Sequence, residues 1–327
     1  MCALFGWLDC GKNLSHRQLK GLTQELANAA EERGTDASGI SYVDNGEIKI
    51  YKKPKPAHKV KFDFPKNITA IMGHTRLATQ GNQKFNFNNH PFYGKADKSF
   101  AFAHNGVLYN DSELKKEKKL PKTHIETDSY VAVQLIEQQG NLDFNSLKSM
   151  AEDVQGSFTF TILDENNTLY FVKGSSPMYL IYFEKLDLYV YASTESIMKK
   201  ALKKSGLNQY NYQVIKLTEG DIISIDSSGK IDYTEFEVSK LSYLSGLKYS
   251  DTADYYTCEE EILLEICGCF GVPEEDVLLL LDYGYTTDDV EEMLMDSDLL
   301  EDTLLGIKEI NETEYLFEYC EKINGNC

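Results

Sequence analysis

Met1-Cys2-Ala3-Leu4-Phe5-Gly6-Trp7 begins the chain, and the cysteine at its second position governs how every later segment is read. Removal of the initiator methionine leaves a residue carrying a thiol and a free α-amino group on one carbon. The amine titrates near neutrality, at about 7.7–8.0, so a fraction of it is neutral and can take the thiol's proton. Cys2 is therefore a nucleophile with its own base. Taken alone it is also an ordinary small residue at the start of an apolar strand, and the residues downstream decide between the two.

The chain has 327 residues, 42% of them hydrophobic, with 21 Tyr and 16 Phe. It is long enough for a large domain plus a smaller one. The formal charge of −19 is unevenly placed: residues 251–327 hold 23 acidic and 2 basic residues, leaving 29 acidic and 31 basic, a net of +2, for residues 1–250. This is the clearest boundary signal and sets the expected domains at 1–240 and 241–327. All six histidines fall in the first 124 residues and five of the seven cysteines after residue 257. The late cysteines lack neighbouring histidines and paired spacing, so no metal site and no cofactor is expected. An odd cysteine count, the lack of an export signal and the lack of a run of about 18 apolar residues lead to the expectation of a cytoplasmic protein with no membrane association. The acidity of the last segment argues against a nucleic-acid partner.

In chain order, Ser15 caps an expected helix over 15–33 with Leu19, Leu22 and Leu26 on one face and Gly34 as its stop. Asp44-Asn45-Gly46 marks a hairpin between Ile40–Val43 and Glu47–Tyr51. Lys52–Pro65 reads as a basic surface loop. The buried strand Ile68–Gly73 delivers His74-Thr75-Arg76-Leu77-Ala78-Thr79 to its end, and a second, Ser99–Ala103, delivers His104-Asn105-Gly106. Thr127-Asp128 opens a helix, with Asp128 in its first turn, and further helices are expected over 145–154 and 194–205. From Gly156 on, three hairpins alternate apolar and polar residues, as strands half exposed or covered by helices do. Roughly ten strands and these helices make an α+β layered domain. After residue 240, short acidic helices are expected from Glu259, Pro273 and Thr286.

Singly, Arg76 reads as a surface ion pair, Asn105-Gly106 as a turn and Asp128 as a cap. Together they suit hydrolysis of the side-chain amide of a free amino acid. Cys2 attacks the amide carbon, and Asn105 with the Gly106 N–H supplies donors for the resulting oxyanion. Arg76 offers a bidentate fork to the substrate's carboxylate and Asp128 a counter-charge to its ammonium.

The sequence resembles the class II glutamine amidotransferase domain, an N-terminal nucleophile (Ntn) hydrolase, over residues 2 to about 236. The resemblance rests on Cys2 with Phe5-Gly6, Arg33-Gly34-x-Asp36-x-x-Gly39-Ile40, Gly73-His74-Thr75-Arg76-Leu77-Ala78-Thr79, Asn89-His90-Pro91-Phe92, His104-Asn105-Gly106, Thr127-Asp128, Gly174-Ser175-Ser176-Pro177 and Ala192-Ser193-Thr194-Glu195, in family order. It implies a four-layer αββα sandwich followed by a small all-α C-terminal region. It also implies Cys2 as the nucleophile forming a thioester, Asn105 and Gly106 as the oxyanion hole, and Arg76 and Asp128 as substrate-binding residues; Thr79 and His90 lie in the same motifs and are further substrate-side candidates. Ala3 and Leu77 stand where many relatives carry Gly and an aromatic residue, and neither change removes a catalytic group. His74, His90 and His104 are expected to be structural hydrogen-bonders, His16, His58 and His124 surface residues, and Cys10 a packed residue.

The expected activity is release of ammonia and glutamate from glutamine, with ammonia passed to a separate acceptor protein. The alternatives are hydrolysis of another γ-glutamyl amide, or a non-catalytic glutamine-binding module signalling through the acidic region. Some 90 residues after the first domain are too few for a sugar-isomerase pair, and no Ser-Gly-Gly-x-Asp or phosphate-binding glycine loop is present. The acidic region is expected either to cap the first domain or to dock a basic protein partner; its Leu281-Asp282-Tyr283-Gly284-Tyr285 turn resembles that of a ubiquitin-associated-type three-helix module.

Overall fold

Strand β1 (Ala3–Asp9), buried along its whole length, lies at the centre of a seven-stranded antiparallel sheet. The structure, a computed structural model, describes residues 2–238 and, beyond them, 263–264, 266–268, 270–294 and 298–308. Two compact units divide at residue 250.

In the first unit, the strands flanking β1 are β4 (Ala70–Arg76) and β10 (Leu188–Ala192). Beyond β4 come β2 (Ala37–Asp44) and β3 (Glu47–Lys53); beyond β10 come β9 (Tyr179–Phe183) and β11 (Gln213–Ile215). A second sheet of six antiparallel strands has the order β13 (Ile231–Glu235), β12 (Asp221–Ile225), β8 (Leu169–Lys173), β7 (Gly156–Asp164), β6 (Ser99–Leu108), β5 (Phe92–Lys95). Helices α1 (His16–Ala29) and α5 (Glu195–Ser205) cover the first sheet; α3 (Tyr130–Gln139) and α4 (Phe144–Asp153) cover the second.

Three apolar clusters fill the gaps between four layers. One holds Trp7, Leu22, Leu26 and Met198 under α1 and α5, and one holds Phe102, Phe160, Val131 and Leu147 under α3 and α4. The third, with Leu4, Met72, Ala101 and Phe171, lies between the sheets. This is the expected αββα sandwich. Both sheets are interior layers, so β7, β10 and β12 are buried on both faces, while the outer strands β3, β11 and β13 keep exposed residues. Their Thr and Ser residues, which read as a solvent face in sequence, are buried instead. Thirteen strands, rather than about ten, occur among the described residues, and α2 (Asp111–Glu117) is an additional short helix.

Local chemistry explains the elements. Ser15 and Gln18 form a capping box at the start of α1, and the helix runs on as a 3₁₀ turn to Arg33. The indole N–H of Trp7 donates to Thr23 Oγ1 at 2.8 Å, fastening the helix layer to β1. The basic stretch after β3 is not a free loop: Ala57, Val60, Phe62 and Phe64 are buried in the α1 cluster, and Gln24 on α1 bonds to Ala57 O and to the Phe62 N–H. His16, expected at the surface, is half-buried, with Nε2 2.8 Å from Phe64 O.

Two expectations about chain direction are corrected. The strand expected to end at Ala103 continues through His104-Asn105-Gly106 to Leu108, because Gly106 adopts φ +131° and stays paired with Phe158. Asp128 lies before α3 rather than in its first turn, and its Oδ2 accepts the Leu108 N–H at 2.7 Å, so it ties the end of β6 to the helix entrance.

In the second unit, α6 (Glu274–Asp282) begins after Pro273 with three acidic residues in its first turn, a favourable arrangement with the helix dipole. Helix α7 (Thr287–Met293) begins with a capping box between Thr286 and Asp289, and residues 298–308 are helical. Val277, Leu280, Val290 and Ile307 are buried. The helix expected over Glu259–Cys269 is described only at 263–264 and 266–268, which are helical; its remainder lies outside the described residues. No helix among the described residues is long and apolar enough to cross a membrane.

Candidate active site

Antiparallel pairing of Ala3 with Thr75, and of Arg76 with Ala37, brings the start of β1 level with the end of β4. Cys2 is thus carried on the central strand and Arg76 on its neighbour. The Cys2 thiol is half-buried and donates weakly to Leu77 O at 3.5 Å. Burial pushes its pKa up; the Arg76 guanidinium and the bond to Leu77 pull it back, and the Asp128 carboxylate pushes it further up. Both side chains therefore lie close enough for their charges to act on the sulfur. Arg33 Nε donates to Cys2 O at 3.1 Å, fixing the main chain of Cys2.

Arg76 is 3% exposed. Its Nη1 donates to Asn89 Oδ1 at 2.7 Å, and its Nη2 to Gln80 O at 2.5 Å and Gly81 O at 3.1 Å. These bonds hold the plane of the guanidinium while leaving part of its N–H fork unfilled. Asp36 braces the same loop, its Oδ2 accepting the Ala78 N–H at 2.8 Å and its own N–H donating to Arg76 O.

Across the sheet interface, His74 Nε2 lies 2.9 Å from His104 O and anchors β4 to β6 beside Asn105. Asn105 is fully buried, and neither its Nδ2 nor its Oδ1 has a hydrogen-bond partner. An unbonded buried amide costs about 1–3 kcal/mol, a cost that a hydrogen bond from a bound group would relieve. Gly106 comes next at φ +131°, where a side chain would place its Cβ 2.0 Å from Ser157 O. Gly106→Ala is expected to destabilise the fold by on the order of 3 kcal/mol through backbone strain and overpacking, read as a lower urea midpoint.

Comparison with known proteins bears on the fold that carries these residues. Residues 74–200 match the family model described as a glutamine amidotransferase domain. Over that stretch the chain is similar to glutamine amidotransferase domains. It is 27% identical over 264 residues to the glutamine–fructose-6-phosphate aminotransferase (isomerizing) of Staphylococcus aureus, covering 77% of this chain and 40% of that protein. The Fusobacterium nucleatum protein of the same name is 28% identical over 252 residues, covering 73% and 38%. The chain therefore spans about two-fifths of the length of these curated relatives. Among solved structures, the glutamine phosphoribosylpyrophosphate amidotransferase of B. subtilis superposes with a TM-score of 0.58 at 21% identity, over 73% of this chain and 50% of that one, which establishes the shared sandwich fold.

Asp128 is buried, with Oδ1 accepting from Ser129 Oγ at 3.2 Å. Ser129 Oγ is also 2.9 Å from His104 Nδ1, so His104, Ser129 and Asp128 form one chain of polar contacts. His74 is driven down to about 3 by burial, and burial likewise lowers His90 and His104, so the imidazoles are neutral at working pH. His90, expected to be a hydrogen-bonder, bonds to nothing among the described residues: it packs between His74 and Phe92, each with ring centroids 4.3 Å away. Thr79 is exposed on the loop after Arg76 and is not brought into the buried cluster. Cys10 is a half-buried free thiol held at about 12 by burial and the nearby Asp187, Asp9 and Asp226, which makes it a poor nucleophile. Among the described residues no cluster of three or more His, Cys, Asp or Glu is arranged to hold a metal. Sequence reasoning assigned no role to Asn89, Asp36 or Ser129; Asn89 and Asp36 belong to the family's motifs, and that membership was the available signal.

Proposed function

We propose that this chain hydrolyses the side-chain amide of glutamine to glutamate and ammonia, with Cys2 as nucleophile after removal of Met1. The observation that carries this reading is a buried cation, Arg76, and a buried anion, Asp128, both near enough for their charges to act on the Cys2 thiol, together with the buried Asn105 amide that has no partner among the described residues. A free α-amino acid presents the complementary pair, an α-carboxylate and an α-ammonium, and places its side-chain amide beyond them.

In this mechanism the sulfur bonds to the amide carbon while the neutral α-amine of Cys2 takes the thiol proton. The C=O electron pair moves onto oxygen, where the Asn105 amide and the Gly106 N–H stabilise it. Collapse of the tetrahedral intermediate breaks the C–N bond, and ammonia leaves with the proton returned by the ammonium. Water then attacks the thioester with the amine again as base, releasing glutamate and restoring the thiol. No step uses a histidine as base, in keeping with the burial that lowers the pKa of all three imidazoles and makes them weak proton acceptors. A cytoplasmic setting would keep the thiol reduced, and a separate acceptor protein would consume the ammonia.

The test is ammonia and glutamate release from glutamine by the purified chain, with its N-terminus read by mass spectrometry. Turnover by chains beginning at Cys2 supports the reading; no turnover by such chains, with no binding of glutamate, defeats it. Arg76→Lys is expected to raise KM for glutamine by roughly 10- to 100-fold with a smaller change in kcat, since a point charge replaces a planar fork. An unchanged KM would take carboxylate recognition away from Arg76.

A further inference from the structure

Lys52 is the penultimate residue of β3, in register with Gly39 of β2, and its ammonium is turned toward main-chain carbonyls. Its Nζ donates to Asn89 O at 2.5 Å and to Pro91 O at 2.9 Å, the two carbonyls that bracket His90, and lies 5.1 Å from the centre of the Phe92 ring. No carboxylate is bonded to it among the described residues. The Lys52 carbonyl in turn accepts from Asn86 Nδ2 at 2.8 Å, so the lysine grips the 86–91 segment at both ends. Gly39 makes the grip possible: a Cβ there would fall 2.6 Å from His90 O and 2.7 Å from Lys52 Cβ.

Asn89 is the link to the site. Its main-chain oxygen is held by Lys52, its Nδ2 donates to Gln83 O at 2.8 Å, and its Oδ1 receives Arg76 Nη1. A half-buried ammonium donating to two neutral carbonyls adds positive charge on the Asn89 side of the buried Arg76 guanidinium, where a substrate carboxylate would be welcome.

We infer that Lys52 is a positioning residue for recognition of the substrate's carboxylate: it fixes Asn89, through which Arg76 is oriented, and adds a second positive charge behind the guanidinium. The inference rests on the glutamine reading and names a residue that no motif match assigns.

The charge state supports this geometry. Burial, and then the Arg76 charge, bring the Lys52 pKa down to about 8. Facing it are Arg76 and the neutral His74 and His90; the Cys2 α-amine, which titrates at about 7.7–8.0, is common to the wild type and the variants and cancels in their ratios. Lys52 is cationic below about pH 8 and loses its charge above it, so attraction for an anionic group is present at low pH and fades as pH rises.

The experiment measures kcat and KM for glutamine in the full chain, from about pH 6.5 to 9, for the wild type, Lys52→Met and Lys52→Arg. Titration of the substrate's own ammonium is common to all three and cancels in their ratios. Lys52→Met is expected to raise KM roughly tenfold at pH 7 with kcat within about twofold, and its KM ratio to wild type should shrink above pH 8. Lys52→Arg, permanently charged, should keep KM low and remove the wild-type rise above pH 8. A Lys52→Met KM within about twofold of wild type overturns the role, as does a Lys52→Arg KM that rises with pH as the wild type's does. The arginine variant decides the matter if the methionine variant fails to unfold cooperatively. Wild-type turnover with unaffected variants overturns the Lys52 role alone, whereas a wild type that neither turns over glutamine nor binds glutamate overturns the functional reading and this inference with it.

Discussion

Cys2→Ala is expected to abolish ammonia release from glutamine, by a factor on the order of 10⁴ or more, while leaving thermal unfolding nearly unchanged. The large effect comes from removing the atom that forms the thioester. The small structural effect comes from how little the thiol does for the fold: it is half-buried, and its bond to Leu77 O is long at 3.5 Å. The pH profile carries a second check. The thiol's pKa is raised by burial, so the reactive form has to be made by proton transfer to the adjacent amine. As pH falls below about 7 that amine becomes an ammonium and kcat/KM should fall with it. A chain that keeps Met1 carries an acylated nitrogen at Cys2 and is expected to be inactive at every pH. Activity equal to wild type in Cys2→Ala would place the chemistry elsewhere.

Asn105→Leu is expected to lower kcat by about 10²–10³ with little change in KM, the loss found when one donor is taken from an oxyanion hole. Its effect on stability distinguishes this role from a structural one. A buried amide engaged in the core would cost stability when replaced; the Asn105 amide has no partner, so an apolar side chain of similar size should leave the urea midpoint equal or higher. Unimpaired kcat, or a sharp drop in stability, would argue that Asn105 serves the fold.

The sandwich was readable in the sequence wherever turn chemistry is local. Asn45-Gly46 and Asn166-Asn167 both sit at the turns between paired strands, with Asn45 and Asn167 at positive φ. Ser15 and Thr286 announced helices that begin one residue later. What escaped was decided by distant parts of the chain. Gly106 resembles a terminator, and only pairing of β6 with β7 across the interior carries the strand past it. The Lys-rich stretch after β3 conceals Phe62 and Phe64, which are buried only because α1 offers them a surface. Lys52 belongs to the same stretch: composition marks it as a solvated cation, while the carbonyls that bury it come from residues 89 and 91. Arg76 and Asn105 were recognisable by type and motif, but the orphaned state of the Asn105 amide is a property of the folded interior alone.

The position of β1 between β4 and β10 bears on how the domain breathes. Its amide protons should exchange among the slowest in the molecule, because freeing the nucleophile's strand requires both neighbouring ladders to open. The segment that holds Arg76, residues 77–89, is not in a sheet and lies partly exposed, with Phe85 and Phe87 facing solvent. Mild urea should therefore loosen the segment around Arg76 before it disturbs the strand that carries Cys2, and under the proposed function glutamine affinity should fade at denaturant concentrations where the circular dichroism of the sheets is still native.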